Sequence, residues 1–207
     1  MSNTRLYLIT PSTFELIEFS NRLAEALEGG DVASVQLRMK ESYDEDIIEA
    51  AKTLMPICHA KDVAFIINDR ADIAKKVGAD GVHIGQEDMT ITEARDIVGE
   101  DQIIGVTCKD SKHLSMTAGE QGADYVAFGA FYPTTTKFTT TQTSPEILNW
   151  WQDLFEIPCV AIGGINAENA AVMAKAGADF VAVCSGVWDH PAGPRAAVSA
   201  INKAINS

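Results

Sequence analysis

Residues 64–88 read AFIINDRADIAKKVGADGVHIGQED. Two short apolar runs, AFIIND from Ala64 and GVHIG from Gly81, flank a segment of helical character. Nearly continuous apolar strands are what a parallel sheet needs when helices cover both of its faces. In the intervening GAD, the glycine suits a helix C-terminus at positive φ and the aspartate begins the turn into the next strand. The same tripeptide recurs at Gly122 and Gly177, again just before a strand-like run. Asp80, Asp124 and Asp179 are therefore read as structural residues at strand N-terminal ends.

The βαβ pattern extends in both directions. Further strand candidates are RLYLIT from Arg5, SVQLRM from Ser34, IIGVTC from Ile103, YVAFGAF from Tyr125, CVAIGG from Cys159 and FVAVCS from Phe180. Between them lie helical segments with recognisable ends. Leu16, Phe19, Leu23 and Leu27 fall at helical spacing, and Gly29-Gly30 stops the run. Thr90 and Glu93 match a capping box, and Ser144-Pro145-Glu146 supplies an N-cap, a first-turn proline and an early acid. Pro56 predicts a kink or an early end in the second helix. Eight β/α units in 207 residues predict a single α/β domain over residues 1–207, a (β/α)8 TIM barrel. A doubly wound open sheet is the alternative, disfavoured because the G-x-G-x-x-G fingerprint is missing.

Bulk chemistry narrows the function. A net charge of −13 argues against general nucleic-acid binding, which needs a basic face. It leaves room for an anionic small molecule, because local cations or a divalent metal can reverse the field within one cleft. No apolar run reaches membrane-spanning length and none opens the chain, so no membrane partner and a cytoplasmic location are expected. Cys58, Cys108, Cys159 and Cys184 form no C-x-x-C pair, and His59, His83, His113 and His190 show no zinc spacing.

In a TIM barrel the site forms where the strands end. Gln36, Arg38 and Lys40 alternate in QLRMK, so they face one side, the mouth of the barrel. Buried cations there need anions to meet them. Asp69 and Asp88 end successive units. Each could simply cap a helix, but as a pair facing basic residues they suit Mg²⁺, which takes a few carboxylates and completes its shell with water and phosphate. The Gly163-Gly164 turn in AIGGINAEN precedes a helix expected to begin near Asn166, and the next strand ends in Cys184-Ser185-Gly186. Such backbone can cradle a phosphate, and loops after the seventh and eighth strands do so often in this fold. Asn68 and Thr107 stand at two more strand ends. The threonine-rich stretch 134–143, with Lys137 in its midst, is either a solvated loop or hydroxyls and a charge gathered round a ligand. No Ser-His-Asp arrangement competes, so displacement of a pyrophosphate group fits better than acyl transfer.

QLRMK, IINDR, ADGVHIGQED, ADYVAFGAFYPTTTK, VAIGGI and VAVCSG, in this order and spacing, resemble the thiamine-phosphate synthase family. The resemblance runs from LYLIT to the last helix. It implies a transferase that joins hydroxymethylpyrimidine diphosphate to a thiazole phosphate, releasing pyrophosphate by a dissociative route. It implies that Gln36, Arg38, Lys40 and Asn68 hold the diphosphate, that Asp69 and Asp88 bind Mg²⁺, and that Lys137 contacts the departing pyrophosphate. Thr134, Thr136 and backbone at Gly164, Cys184 and Ser185 would receive the thiazole phosphate, and residues 138–143 would form a flap. Arg38, Lys40, Thr107 and Lys137 form the implied catalytic set. Thr107 stands where the family usually has serine, Cys184 where an aliphatic residue is usual, and Ala130 where proline is common. A thiazole tautomerase, whose loop carries a histidine at the place of Ala130, and a non-catalytic phosphate-ligand sensor are the alternative readings. Trp150-Trp151 raises the question of a homodimer without answering it.

Overall fold

A computed structural model describes residues 4–134 and 143–207. Strands β1 (Arg5–Ile9), β2 (Val32–Leu37), β3 (Ala64–Asn68), β4 (Gly81–Ile84), β5 (Ile103–Lys109), β6 (Tyr125–Phe128), β7 (Cys159–Ile162) and β8 (Phe180–Val183) pair in chain order. All pairs are parallel, and β8 closes on β1. Helices α1 (Leu16–Leu27), α2 (Asp44–His59), α3 (Ala71–Val77), α4 (Ile91–Val98), α5 (Lys112–Glu120), α6 (Glu146–Leu154) and α7 (Ala170–Lys175) follow the first seven strands. A short α8 (Ser185–Trp188) and the closing α9 (Pro194–Ile205) follow β8. The architecture is the TIM barrel that the alternation predicts.

Strand alternation splits the apolar residues into two cores. Leu6, Leu8, Val35, Leu37, Phe65 and Ile67 belong to the large core packed against the helices. Each such side chain contributes about 1.5–3 kcal/mol on burial. Tyr7, Ile9, Tyr125, Ala127, Val160 and Ala182 form the smaller inner core. That inner core holds two tyrosines and shares the barrel with buried Gln36 and His83, so it is far more polar than the outer one.

The GAD repeat builds a clasp. Asp80 takes the Phe65 N–H on its carboxylate at 2.6 Å while its own N–H reaches the Phe65 carbonyl at 3.0 Å. Asp124 does the same to Ile104 (2.7 and 2.8 Å), and Asp179 to Cys159 (2.8 and 3.0 Å). Each carboxylate also takes a side chain from a neighbouring helix: His59, Arg95 and Gln152 respectively. The preceding glycines have φ of +71°, +86° and +96°, the left-handed region expected of them. These bonds pin the bottom of every second strand pair. Asp31, before β2, departs from the pattern and binds the Arg5 guanidinium at 2.7 Å. Asp179→Ala strands the Cys159 N–H and releases Gln152, so it is expected to lower unfolding stability by about 1–3 kcal/mol in urea titrations.

Local expectations hold with some shifts. Thr90 and Glu93 form the reciprocal capping box. α6 starts one residue later than expected, with Pro145 at the N-cap position and no side-chain cap, although the Ser144 hydroxyl accepts from the Glu146 N–H at 3.4 Å. α2 does not stop at Pro56 but runs on to His59. Proline there removes only the bond to the Lys52 carbonyl, which the burial of Leu54 and Cys58 offsets. α7 begins at Ala170 rather than near Asn166, because Asn166 and Asn169 bond to the intervening backbone and hold it as turns. Trp151 is fully buried, stacked on Phe155 and bonded to the Ile157 carbonyl, while Trp150 lies under Lys112. The tryptophan pair is therefore core and its edge, not an open apolar patch.

Candidate active site

The alternation along β2 carries Gln36 and Arg38 to the mouth, where both are buried, with Arg38 only 8% exposed. The Arg38 backbone N–H donates to the Thr10 hydroxyl at 2.9 Å, which fixes where the side chain departs. Among the described residues, no carboxylate lies within ion-pair distance of its guanidinium, whereas Arg5, Arg70 and Arg95 each find one. Two residues on, exposed Lys40 reaches Asp69 at 3.2 Å.

Asp69 follows β3 in the left-handed region, at φ +64°, and its N–H donates to the His83 carbonyl at 2.8 Å. It does not cap α3, whose N-cap position is Arg70. Its carboxylate lies between Lys40 and Asp88. Burial and the neighbouring Asp88 charge push its pKa up, and Lys40 pulls it back down. Arg70, bound bidentately to both Asp44 and Asp72, staples the adjoining turn. One oxygen of Asp88 accepts from the Gly85 N–H at 2.7 Å, so the local-turn role is real but occupies only one oxygen. Two carboxylates crowded at a cationic rim fit a hard divalent cation, which would remove their mutual repulsion. No group of three or more His, Cys, Asp or Glu gathers to hold a metal among the described residues, so water and substrate oxygens would complete the shell.

The next wall comes from β4 and β5. His83 bonds through Nε2 to the Thr107 hydroxyl at 2.8 Å and through Nδ1 to the Tyr125 hydroxyl at 2.9 Å. A register shift after Thr107 lets Lys109, at φ +55°, line the same cavity.

Loops after β6 and β7 interlock opposite. Phe131 N–H donates to the Ile162 carbonyl, Tyr132 N–H to Gly163 and Thr143 N–H to Ala130. A Cβ at Gly163 would lie 2.4 Å from the Ala130 Cβ, and one at Gly164 would lie 2.5 Å from the Pro133 carbonyl oxygen. The two glycines are also at φ +101° and +65°, so no other residue fits there without strain. Asn169 Nδ2 donates to the Gly164 carbonyl and locks the turn. The start of α8, at Ser185, lies beside it, the arrangement that commonly takes phosphate in this fold.

One cavity is thus lined by Gln36, Arg38, Asn68, Thr107, Thr134, Gly164, Cys184 and Ser185. Lys40, Asp69 and Asp88 cluster next to Asn68 at its edge. Thr136, Lys137 and residues 138–142 of the expected flap lie outside the described residues. Ile9, His83, Lys109, Ile162 and Ala182 also line the cavity and carry no role in the sequence reading. Lys109 lies one residue beyond the apolar run IIGVTC, and the register shift after Thr107 brings it to the cavity.

Known proteins resemble this chain in sequence and in fold. The sequence model described as thiamine monophosphate synthase matches residues 6–187. A thiamine-phosphate synthase of Rhodospirillum centenum is 59% identical over 205 residues, covering 99% of both chains. That of Hyphomonas neptunium is 51% identical, covering 99% of this chain and 95% of its own. The solved thiamine phosphate pyrophosphorylase of Pyrococcus furiosus superposes with a TM-score of 0.86 at 35% identity, covering 99% of this chain and 96% of its own.

Proposed function

We propose that this chain, which belongs to the thiamine-phosphate synthase family, joins hydroxymethylpyrimidine diphosphate and a thiazole phosphate into thiamine phosphate and pyrophosphate. The observation that carries the reading is Arg38: a buried arginine with no carboxylate partner among the described residues, two positions before a lysine that meets the Asp69 carboxylate. Such a cation is costly unless the ligand brings the counter-charge. A diphosphate does so.

The proposed reaction needs no protein nucleophile. The bond from the pyrimidine methylene to the diphosphate oxygen breaks, and its electron pair leaves with the pyrophosphate. The resulting carbocation is captured by the thiazole nitrogen. Arg38 and Lys40 stabilise the charge that develops on the leaving group, and Gln36 and Asn68 orient the diphosphate. Lys137 joins them by family resemblance. Thr134, with Thr136 by the same resemblance, and backbone at Gly164, Cys184 and Ser185 receive the thiazole phosphate, placing the second reactant across the cavity from the first. Asp69 and Asp88 would hold Mg²⁺, which as a Lewis acid neutralises phosphoryl oxygens. Four free cysteines, with thiol pKa values pushed up to about 11 or 12 by burial, suit a reducing cytoplasm. Among the described residues, no helix is long and apolar enough to cross a membrane.

The test is direct. Purified protein is incubated with both phosphorylated substrates, with Mg²⁺ or with excess chelator, and thiamine phosphate is measured by mass spectrometry. Metal-dependent product is expected. Folded protein that makes none would overturn the reading.

A further inference from the structure

A chain of hydrogen bonds crosses the interior of the barrel beneath the cavity. Gln36 Nε2 lies 2.9 Å from the Tyr7 hydroxyl, Tyr7 2.8 Å from the Tyr125 hydroxyl, Tyr125 2.9 Å from His83 Nδ1, and His83 Nε2 2.8 Å from the Thr107 hydroxyl. Its two ends line the cavity, and its two phenols are buried. The sequence makes room for it. A Cβ at Gly105 would lie 1.9 Å from the Tyr125 ring, so β5 surrenders a side chain to admit that phenol.

The proton order along this chain is not arbitrary. An amide nitrogen only donates, so the Tyr7 oxygen accepts from Gln36. Tyr7 then has one hydrogen, and Tyr125 is the neighbour left to take it. The reverse order would bury the Tyr7 hydrogen with no acceptor, which costs far more than an ordinary bond gains. Tyr125 in turn donates to His83 Nδ1. A neutral imidazole that accepts at Nδ1 carries its proton on Nε2. Nε2–H donates to the Thr107 oxygen, and the threonine's own hydrogen is left for the cavity. Burial raises the Tyr7 pKa to about 12 and the Tyr125 pKa well above the ordinary value, so both remain phenols.

We propose that Tyr7, Tyr125 and His83 are positioning residues that carry the amide polarity of Gln36 across the barrel and fix Thr107 as a hydrogen-bond donor to the pyrimidine diphosphate. The role given to that ligand rests on the function proposed above, whereas the proton order does not. Threonine and serine serve alike here, because the order constrains the hydroxyl and not its methyl group. A reversed chain would present Thr107 as an acceptor and repel a phosphoryl oxygen or a ring nitrogen.

The deciding experiment is ¹⁵N NMR of histidine-labelled, ligand-free protein at mildly alkaline pH, with His83 assigned by its loss in His83→Gln. The wild-type ring is expected as the Nε2–H tautomer. Gln36→Glu puts an acceptor-only carboxylate at the head of the chain and is expected to switch His83 to Nδ1–H. A wild-type Nδ1–H ring, or the same tautomer in both proteins, would overturn the proposal whether or not the protein is a synthase. In kinetics, Tyr125→Phe is expected to raise the KM for the pyrimidine diphosphate about fivefold, the effect of one neutral hydrogen bond. The KM for the thiazole phosphate should stay unchanged. Equal movement of both KM values would assign Tyr125 a structural role only.

Discussion

Arg38→Met is expected to make the ligand-free protein more stable and almost inactive. The two effects have one cause. Arg38 is 8% exposed and its guanidinium has no carboxylate partner among the described residues, so in the absence of substrate its desolvation is poorly compensated. Methionine fills much of the same volume without a charge and should raise unfolding stability by about 1–2 kcal/mol. The same charge stabilises the departing pyrophosphate, and deleting one preorganised donor of this kind costs roughly 100- to 1,000-fold in turnover. Thermal melts with and without inorganic pyrophosphate and Mg²⁺ separate the terms. Wild type should gain stability from the ligand and Arg38→Met should gain little, while starting from a higher baseline. A variant that is both less stable and still responsive to pyrophosphate would mean that Arg38 is a packing residue with an incidental charge.

This conflict between stability and function explains how much of the site the sequence could reveal. Arg38 was legible because an inward-facing arginine contradicts an otherwise apolar strand. Gly163-Gly164 stands out because a glycine doublet directly after a strand marks a turn that leaves backbone N–H groups bare. The barrel could be read because outward positions such as Leu6, Leu8, Phe65 and Ile67 satisfy strand pattern and helix cover at once. Where several solutions satisfy the same pattern, sequence reading fell short. Tyr7 and Tyr125 read as ordinary apolar strand residues, and nothing in their local sequence shows that their hydroxyls meet 118 residues apart. The apolar run IIGVTC stops one residue short of the end of β5, so Lys109 falls outside it, and no local pattern marks the register shift after Thr107. The start of α7 is hidden because Asn166 and Asn169 are as good at holding turns as at capping helices. Long-range side-chain pairing and turn geometry are tertiary facts. Alternation and composition reach them only by way of the fold.

Asp88→Asn should show the same opposition with the sign of charge reversed. Asp69 keeps its proton to higher pH in the folded protein than in the unfolded chain, because of burial and the adjacent Asp88 charge. A carboxyl with a raised folded pKa favours the native state most below that pKa, and the benefit is lost as pH rises through it. Above that window both carboxylates are ionised and repel each other. Asparagine removes the repulsion and can still accept the Gly85 N–H that Asp88 takes at 2.7 Å, so the turn survives. The metal-free variant is therefore expected to melt higher than wild type near neutral pH and to lose that advantage in acid, where Asp69 is protonated in both. Turnover should fall about a hundredfold, near 3 kcal/mol, as expected when a Mg²⁺ site loses one of two charged ligands. Raising Mg²⁺ should recover part of the loss. Calorimetric titration with Mg²⁺ in the presence of pyrophosphate checks the binding directly. Unchanged metal affinity in Asp88→Asn would remove Asp88 from the metal site and leave it only its turn.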